Sequence, residues 1–344
     1  IQGTQWWTSY QPVSYKLDAK LGTEAEFKNM VQQCSAAGVG IIADVVLNQT
    51  TGADVAAGDQ KGVAGSEYNG STGSYPGFAT KQYPDGITAA DFHSCTKNIS
   101  DYTNQKEVQE CRLSSMWDFN SESEKVQDIQ SDYLASLWNA GVRGFRMDAV
   151  KHIHTDSMKA IKEKFAKKIG KNANDIYWIQ EVIGNASEAA GIQPSNYVQN
   201  GTVTEFGFKS EMNQTFKDKI ANLKGLSDRL SKDLSSDDAN VFVTNWDTAR
   251  NEGALTYKDG AKYQLANAFM LAYDYGTPRL LSDYKWDVND NGAPGATATS
   301  VPDVDMDKAC STNDSDWNCE QRWTSTRGMI AFRNYVNGTK VADW

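Results

Sequence analysis

Two spacings of apolar residues alternate along the chain. Runs such as GVGIIADVVL, GFRMDAV, YWIQEVI and VFVTNWD are nearly continuous in apolar residues, as strands covered on both faces are. Between them lie stretches such as FKNMVQQCSAAG, whose apolar positions recur at helical spacing. The pattern predicts a helix over Glu24–Ala37 and a strand over Gly40–Leu47. Further on it predicts helix Ser123–Asn139, strand Gly144–Val150, helix Thr155–Ile169 and strand Tyr177–Ile183. Strand Thr202–Phe208, helix Glu211–Leu223, strand Val241–Asp247, helix Ala261–Tyr273 and strand Arg279–Ser282 follow. Alternating strands and helices of this kind make a parallel sheet with right-handed crossovers. The region from Gln49 to Met116 carries no such period and is too long for an ordinary loop, so it reads as an inserted, irregular subdomain.

Composition narrows the function classes. The chain has 344 residues and a formal charge of −10, so it lacks the basic stripe that a phosphate backbone needs. It holds 10 Trp, 15 Tyr and 12 Phe, too many aromatics for a disordered acidic chain. The longest apolar run, Val39–Leu47, is broken by Gly40 and Asp44 and is far short of a membrane span. There are five cysteines and no Cys-x-x-Cys. Cys95 with Cys111, and Cys310 with Cys319, each bracket a short polar stretch and read as staples rather than metal sites. Cys34 sits in an amphipathic stretch and reads as a buried free thiol. Asn-x-Ser/Thr sequons recur, among them Asn69, Asn98, Asn185, Asn200, Asn213 and Asn337, and together with the staples suggest secretion.

Polar residues gather where the predicted strands end: Asn48, Asp148, Glu181 and Asp247. In a (β/α) barrel that rim carries the chemistry. A carboxylate inside an apolar strand is costly unless it is paired or functional. Three of them on successive strands suit glycoside hydrolysis, which needs one acid and one nucleophile or base.

These stretches, with WWTSYQPVSYKL, DVVLNQ, CRLSSMWDFN, GFRMDAVKHI, QEVI, VTEF, FVTNWDTAR and CEQRW…FRN, resemble the α-amylase family of (β/α)8-barrel glycoside hydrolases, in its animal-like secreted branch. The resemblance implies an α/β fold of TIM-barrel type and endo-hydrolysis of α-1,4-glucans of the starch and glycogen type with retention. It implies Asp148 as nucleophile, Glu181 as acid/base and Asp247 as the holder of sugar hydroxyls, with Asp148 and Glu181 about 5–5.5 Å apart. It places Trp6, Trp7, Tyr10, Gln11, Gln49, Tyr102, Arg146, Lys151, His152, Ile183 and Trp246 around the glucan. Trp6 and Trp7 have core packing as the alternative reading. A structural calcium would take Asn48, Asp118 and the carbonyls of Arg112 and His152, with oxygen ligands that suit it. Asn48 also heads a sequon, Asn48-Gln49-Thr50, the competing reading there. Chloride would take Arg146, Asn245 and Lys285, unless Lys285 is a solvated surface lysine. The implied partner is starch or a maltooligosaccharide, with no nucleic acid or membrane, and a secreted monomer is expected.

The sequence departs from the family pattern in two ways. Gln49 and Trp246 stand where the family carries histidine, which predicts weaker transition-state binding or altered specificity. Six strands are counted where the barrel needs eight, and the match begins after the second family strand. The expected division is 1–48 and 118–344 as barrel parts and 49–117 as the insertion, without the C-terminal β-sandwich. The chain also begins without Met, so a fragment of a longer protein is expected. An α-glucosidase, a transglycosylase or a catalytically weakened glucan-binding relative are the alternative readings.

Overall fold

The computed structural model describes residues 1–342 apart from 231, 252, 313 and 314. They form two compact units, Ile1–Gly201 with Gly295–Pro302, and Thr202–Pro294 with Asp303–Trp344.

In the first unit, α1 (Glu24–Ala36) starts at a capping box. The Thr23 hydroxyl accepts from the Glu26 N–H while the Glu26 carboxylate accepts from the Thr23 N–H, which satisfies two helix-end donors. Strand β1 (Ile42–Val45) follows. The insertion contributes an antiparallel hairpin, β2 (Asp59–Lys61) with β3 (Glu67–Asn69), and the short α2 (Gln105–Glu110). Then come α3 (Glu124–Asn139), β4 (Gly144–Met147), α4 (Thr155–Lys168) and β5 (Tyr177–Gln180). Strands β1, β4 and β5 pair in parallel, with Asp44 opposite Arg146 and Arg146 opposite Ile179. Phe145, Met147, Trp178 and Ile179 are buried, as the continuous apolar runs require.

The insertion has an aromatic core. Tyr68, Tyr75, Phe78, Phe92 and Phe119 pack together, Phe92 stacking on Phe119 at 5.0 Å, and the same cluster takes in Val126 and Ile129 of α3. The Tyr75 hydroxyl donates to the Thr51 carbonyl at 2.7 Å, and Trp117 Nε1 donates to the Gly70 carbonyl at 2.6 Å, so the buried polar ends are satisfied. The Cys95–Cys111 disulfide closes within it.

The second unit contains β6 (Thr202–Glu205), α5 (Phe206–Lys217), α6 (Leu226–Leu230), β7 (Ala239–Phe242) and α7 (Trp246–Asn251). It continues with α8 (Ala261–Ala272), β8 (Thr277–Arg279), α9 (Met306–Ala309) and α10 (Thr324–Tyr335). Strands β6, β7 and β8 pair in parallel, and the Cys310–Cys319 disulfide follows them.

Two predicted strands end early for the same reason. The strand expected to reach Phe208 stops at Glu205, whose carboxylate accepts the Gly207 N–H at 2.6 Å and opens α5. The strand expected to reach Asp247 stops at Phe242. Asn245 Oδ1 accepts the Thr248 N–H at 2.8 Å and its hydroxyl at 2.9 Å, which starts a helix and puts Asp247 in its first turn. Helix α10 carries no prediction. Cys34 is free as expected but half-buried rather than buried. No helix among the described residues is long and apolar enough to cross a membrane.

Candidate active site

Asp148 and Glu181 each lie one residue beyond a strand, on β4 and β5. The ladder carries on through them, with the Asp148 N–H donating to the Val45 carbonyl at 2.9 Å and the Glu181 N–H to the Met147 carbonyl at 3.0 Å. Arg146, two residues before Asp148, projects to the same face. Its guanidinium is the hub of the site. Nη1 reaches Asp148 Oδ1 at 2.7 Å and Asp44 Oδ1 at 2.8 Å, while Nη2 reaches Glu181 Oε1 at 2.7 Å. Arg146 and Asp148 are buried.

The remaining oxygens are also held. Gln49 Nε2 donates to Asp148 Oδ2 at 3.4 Å and to the Tyr10 carbonyl at 3.1 Å. The Ala149 N–H donates to Glu181 Oε2 at 3.0 Å. Ala149 adopts φ +50°, a left-handed conformation that costs a non-glycine residue about 1 kcal/mol and here aims that N–H at the carboxylate. The Tyr10 hydroxyl donates to Asp44 Oδ2 at 2.6 Å. Three carboxylates thus face one guanidinium. Burial first and the Glu181 charge second push the Asp148 carboxyl up, against the pull of Arg146, so the cluster keeps a proton at neutral pH.

The first unit also holds most of the residues expected to contact the glucan. Trp6 meets Tyr10 edge-on at 6.0 Å, and both lie with Trp7 on one short turn, Trp6–Tyr10, half-buried. Gln11 Oε1 accepts from the Thr51 hydroxyl at 2.6 Å. Lys151 is buried, ion-paired with Glu188, and stands 5.5 Å from the Tyr102 ring centre. His152 Nδ1 bonds the Val108 carbonyl at 3.0 Å, and burial lowers its pKa to about 4, so the imidazole is neutral. Ile183 is a large apolar side chain left 40% exposed just past β5.

Of the predicted calcium ligands, Asn48, Asp118 and the His152 carbonyl come together. Asn48 and Asp118 are both buried. The Asn48 amide oxygen faces Asp118 Oδ1 at 3.3 Å and the His152 carbonyl at 3.1 Å, a gathering of oxygens that either a cation or a turned amide relieves. Asp118 Oδ2 is held by His93 Nδ1 at 2.6 Å. The Arg112 carbonyl accepts the Ile99 N–H at 2.9 Å, and its guanidinium lies 4.0 Å over Trp117. Among the described residues no group of three or more His, Cys, Asp and Glu could hold a metal, so any site here rests on amide and carbonyl oxygens with one carboxylate.

In the second unit Asp247 and Trp246 are half-buried in the first turn of α7, and Asn245 is buried before it. Lys285 is exposed, with its N–H donating to the Asp316 carbonyl at 2.6 Å. Arg250 is buried, spans Asp283 at 3.3 and 3.4 Å and lies 5.1 Å from the Trp286 ring.

Two residues of the first unit were missed by the sequence reading. Asp44 carries the signal used for Asp148, an acid inside an apolar strand. Glu188 lies in a loop and carries no signal until its pairing with Lys151 is seen.

Parallel strands joined by helices, with carboxylates at the strand ends gathered on one guanidinium, define a protein of the (β/α)-barrel class with a carboxylate-pair site. A family model described as alpha amylase, catalytic domain, matches residues 7–279, and the chain belongs to this family. It is 36% identical over its whole length to an alpha-amylase of Streptomyces violaceus, of which it spans 55%. It is 35% identical over 98% of its length to mouse pancreatic alpha-amylase 2a5, of which it spans 69%. Crystal structures of alpha-amylase I from Eisenia fetida match 99% of this chain and 70% of their own at a TM-score of 0.86 and 32% identity; one is a Glu-to-Gln variant in complex with maltohexaose. The chain therefore spans little more than half of some relatives and about two thirds of others.

Proposed function

We propose that the chain carries the catalytic centre of a secreted, monomeric α-amylase that cleaves internal α-1,4 bonds of starch-type glucans with retention. The observation that carries this reading is the sharing of Arg146 between Asp148 and Glu181, two carboxylates at the ends of neighbouring strands. In this reading Asp148 attacks the anomeric carbon. Arg146 and Gln49 hold its oxygens in place, and the loss of the glycosidic bond is completed by a proton from Glu181. The same Glu181 then takes a proton from water as the glycosyl ester is hydrolysed. Asp247 takes the hydroxyl-holding role that its place in FVTNWD implies, with Trp246 beside it. Tyr10, fixed by Asp44, offers its ring to the sugar at the cleavage point. Trp6, Trp7 and Gln11 serve neighbouring sugars, and Lys151, His152, Tyr102 and Ile183 the opposite side. The division into 1–48, 49–117 and 118–344 remains part of the reading.

Asn48, Asp118 and the carbonyls of Arg112 and His152 would hold calcium, whose role there is to tie the insertion to the strand ends. Chloride needs donors. Arg146 would supply a cation, and Asn245, whose Oδ1 accepts from Thr248, would have its Nδ2 left as a donor. Lys285, exposed, would be the third donor. The disulfides and sequons support secretion.

The test is hydrolysis of soluble starch, followed by chain-length analysis and by NMR of the anomer first released. Mixed short maltooligosaccharides in the α configuration are expected, with activity lost in Glu181→Gln. Glucose alone, newly lengthened chains, or no turnover in the parent would overturn the reading.

A further inference from the structure

Lys20 is buried, and lysine is seldom buried without a partner. It lies in a tight turn closed by reciprocal bonds between Ala19 and Gly22, at 2.9 and 3.1 Å, just ahead of α1. Its main chain is fixed again where its carbonyl accepts the Val301 N–H at 2.8 Å. No carboxylate among the described residues pairs with the side chain, and burial lowers its pKa, the mark of a charge held away from water. Its donors go instead to neutral oxygens: the Thr8 hydroxyl at 2.7 Å, the Gly3 carbonyl at 2.9 Å and the Gln5 carbonyl at 3.3 Å. An ammonium has three donors and no acceptor, so this set satisfies it.

All three acceptors lie in or just before the turn Trp6–Tyr10, which its own backbone holds weakly. The Thr8 N–H reaches the Gln5 carbonyl at 3.4 Å and the Gln11 N–H the Thr8 carbonyl at 3.4 Å, both long for such bonds. No side chain caps the start of the turn. The bonds from Lys20 to Thr8 and Gly3 are shorter and charge-assisted, hence stronger. Thr8, which is buried, passes the hold on: its hydroxyl accepts from Lys20 and donates to the Gln5 carbonyl at 2.7 Å. Gly3 packs against Thr8 so closely that a Cβ on it would lie 2.7 Å from Thr8 Cγ2. The rear of the turn is fixed from the active-site side, by Gln49 on the Tyr10 carbonyl and Thr51 on Gln11 Oε1. The front, which carries Trp6 and Trp7, is held from Lys20.

We propose that Lys20 is a positioning residue: through Thr8 and the carbonyls of Gly3 and Gln5 it sets how Trp6 and Trp7 meet the substrate. This rests on the amylase reading above, in which those indoles serve the sugars beside the cleavage point. An indole offers its flat face to a sugar only when it is held in place, so a front half free to rock would cost substrate binding. None of the bonds made by the Lys20 side chain reaches Asp148, Glu181 or Arg146. The signature is therefore a raised KM at a nearly constant kcat.

The experiment compares steady-state hydrolysis of maltoheptaose by the parent, Lys20→Met and Lys20→Arg, with each melting temperature measured alongside. Lys20→Met keeps the stem and removes the donors. It should raise KM about ten-fold, a loss of about 1.4 kcal/mol, and leave kcat within about two-fold of the parent. Lys20→Arg restores charged donors and should bring KM back to within about three-fold of the parent. Thr8→Val keeps the shape of the side chain and deletes the hydroxyl that Lys20 holds. It should raise KM about three-fold, and it carries the test if Lys20→Met does not fold. A lowered melting temperature with the parental KM would overturn the proposal. So would a fall in kcat at unchanged KM, a Lys20→Arg protein as impaired as Lys20→Met, or a Thr8→Val protein with the parental KM. Failure of the amylase reading is distinguishable, because then the parent itself does not hydrolyse maltoheptaose.

Discussion

Gln49 is held at two points, to the Tyr10 carbonyl and to Asp148 Oδ2, and so connects the aromatic that would face the sugar to the carboxylate that would attack it. Gln49→Ala should therefore lower kcat on a soluble maltooligosaccharide about ten-fold, the scale of one lost hydrogen bond to a charged group. An unchanged kcat would show that the amide only fills space. Asp148 itself gives a prediction with a definite sign. Burial first and the Glu181 charge second push the Asp148 carboxyl up, so the folded pair shares one proton, carried by Glu181 when Asp148 attacks. The unfolded chain releases that proton near the ordinary carboxylate value of about 4. Above that value the unfolded state releases the proton and the folded state retains it, so this contribution to stability is present at low pH and lost as pH rises through the raised value. Asp148→Asn removes the titrating carboxyl. It should be inactive, melt above the parent at pH 7.5, and lose that advantage near pH 4 in a calorimetric scan. An equal or lower melting temperature at pH 7.5 would contradict this account of the site.

The strands and helices show how far sequence pattern reaches. Strands β4 and β5 were legible because burial on both faces leaves an almost unbroken apolar run, and α3 and α4 because one buried face repeats at helical spacing; β1 has the same apolar run although only Val45 of it is buried. The strand ends were not legible. At Glu205 and Asn245 a side-chain oxygen captures an N–H two or three residues ahead and turns the chain into a helix while the sequence still reads as apolar strand. The candidate site divides in the same way. Asp148, Glu181, Tyr10 and Gln49 were readable from their motifs. The Ala149 N–H on Glu181 and the Lys151–Glu188 pair depend on the path of the folded chain. Asn245 carries a prediction at this scale, since it caps the helix whose first turn presents Asp247. Asn245→Ala should cost about 1 kcal/mol of stability and lower kcat/KM on maltooligosaccharides, through a displaced Asp247. Lost stability with unchanged kcat/KM would mean that the cap serves the helix alone.

Across the molecule, the insertion is tied down by three different means: an aromatic cluster shared with α3, the Cys95–Cys111 disulfide, and the Asn48–Asp118–His152 gathering of oxygens at the strand ends. The first two are complete within the chain, whereas the third leaves oxygens facing one another. A bound divalent cation would stabilise the folded state by its binding free energy, which grows with the ratio of free ion to Kd, because the unfolded chain does not present these ligands together. Chelation should therefore lower the melting temperature by several degrees, and calcium in excess should restore it where magnesium does not, since carbonyl and amide oxygens in an irregular cage suit the larger ion. Asn48→Ala should have the same low melting temperature with and without chelator. Replacing both Cys95 and Cys111 with Ser should instead cost about 3 kcal/mol, by the entropy of the opened loop, and leave the calcium response in place. If the parent melts identically with chelator and with calcium, the turned Asn48 amide, donating to Asp118 and to the His152 carbonyl, is what holds the insertion there, and the junction is complete without a metal.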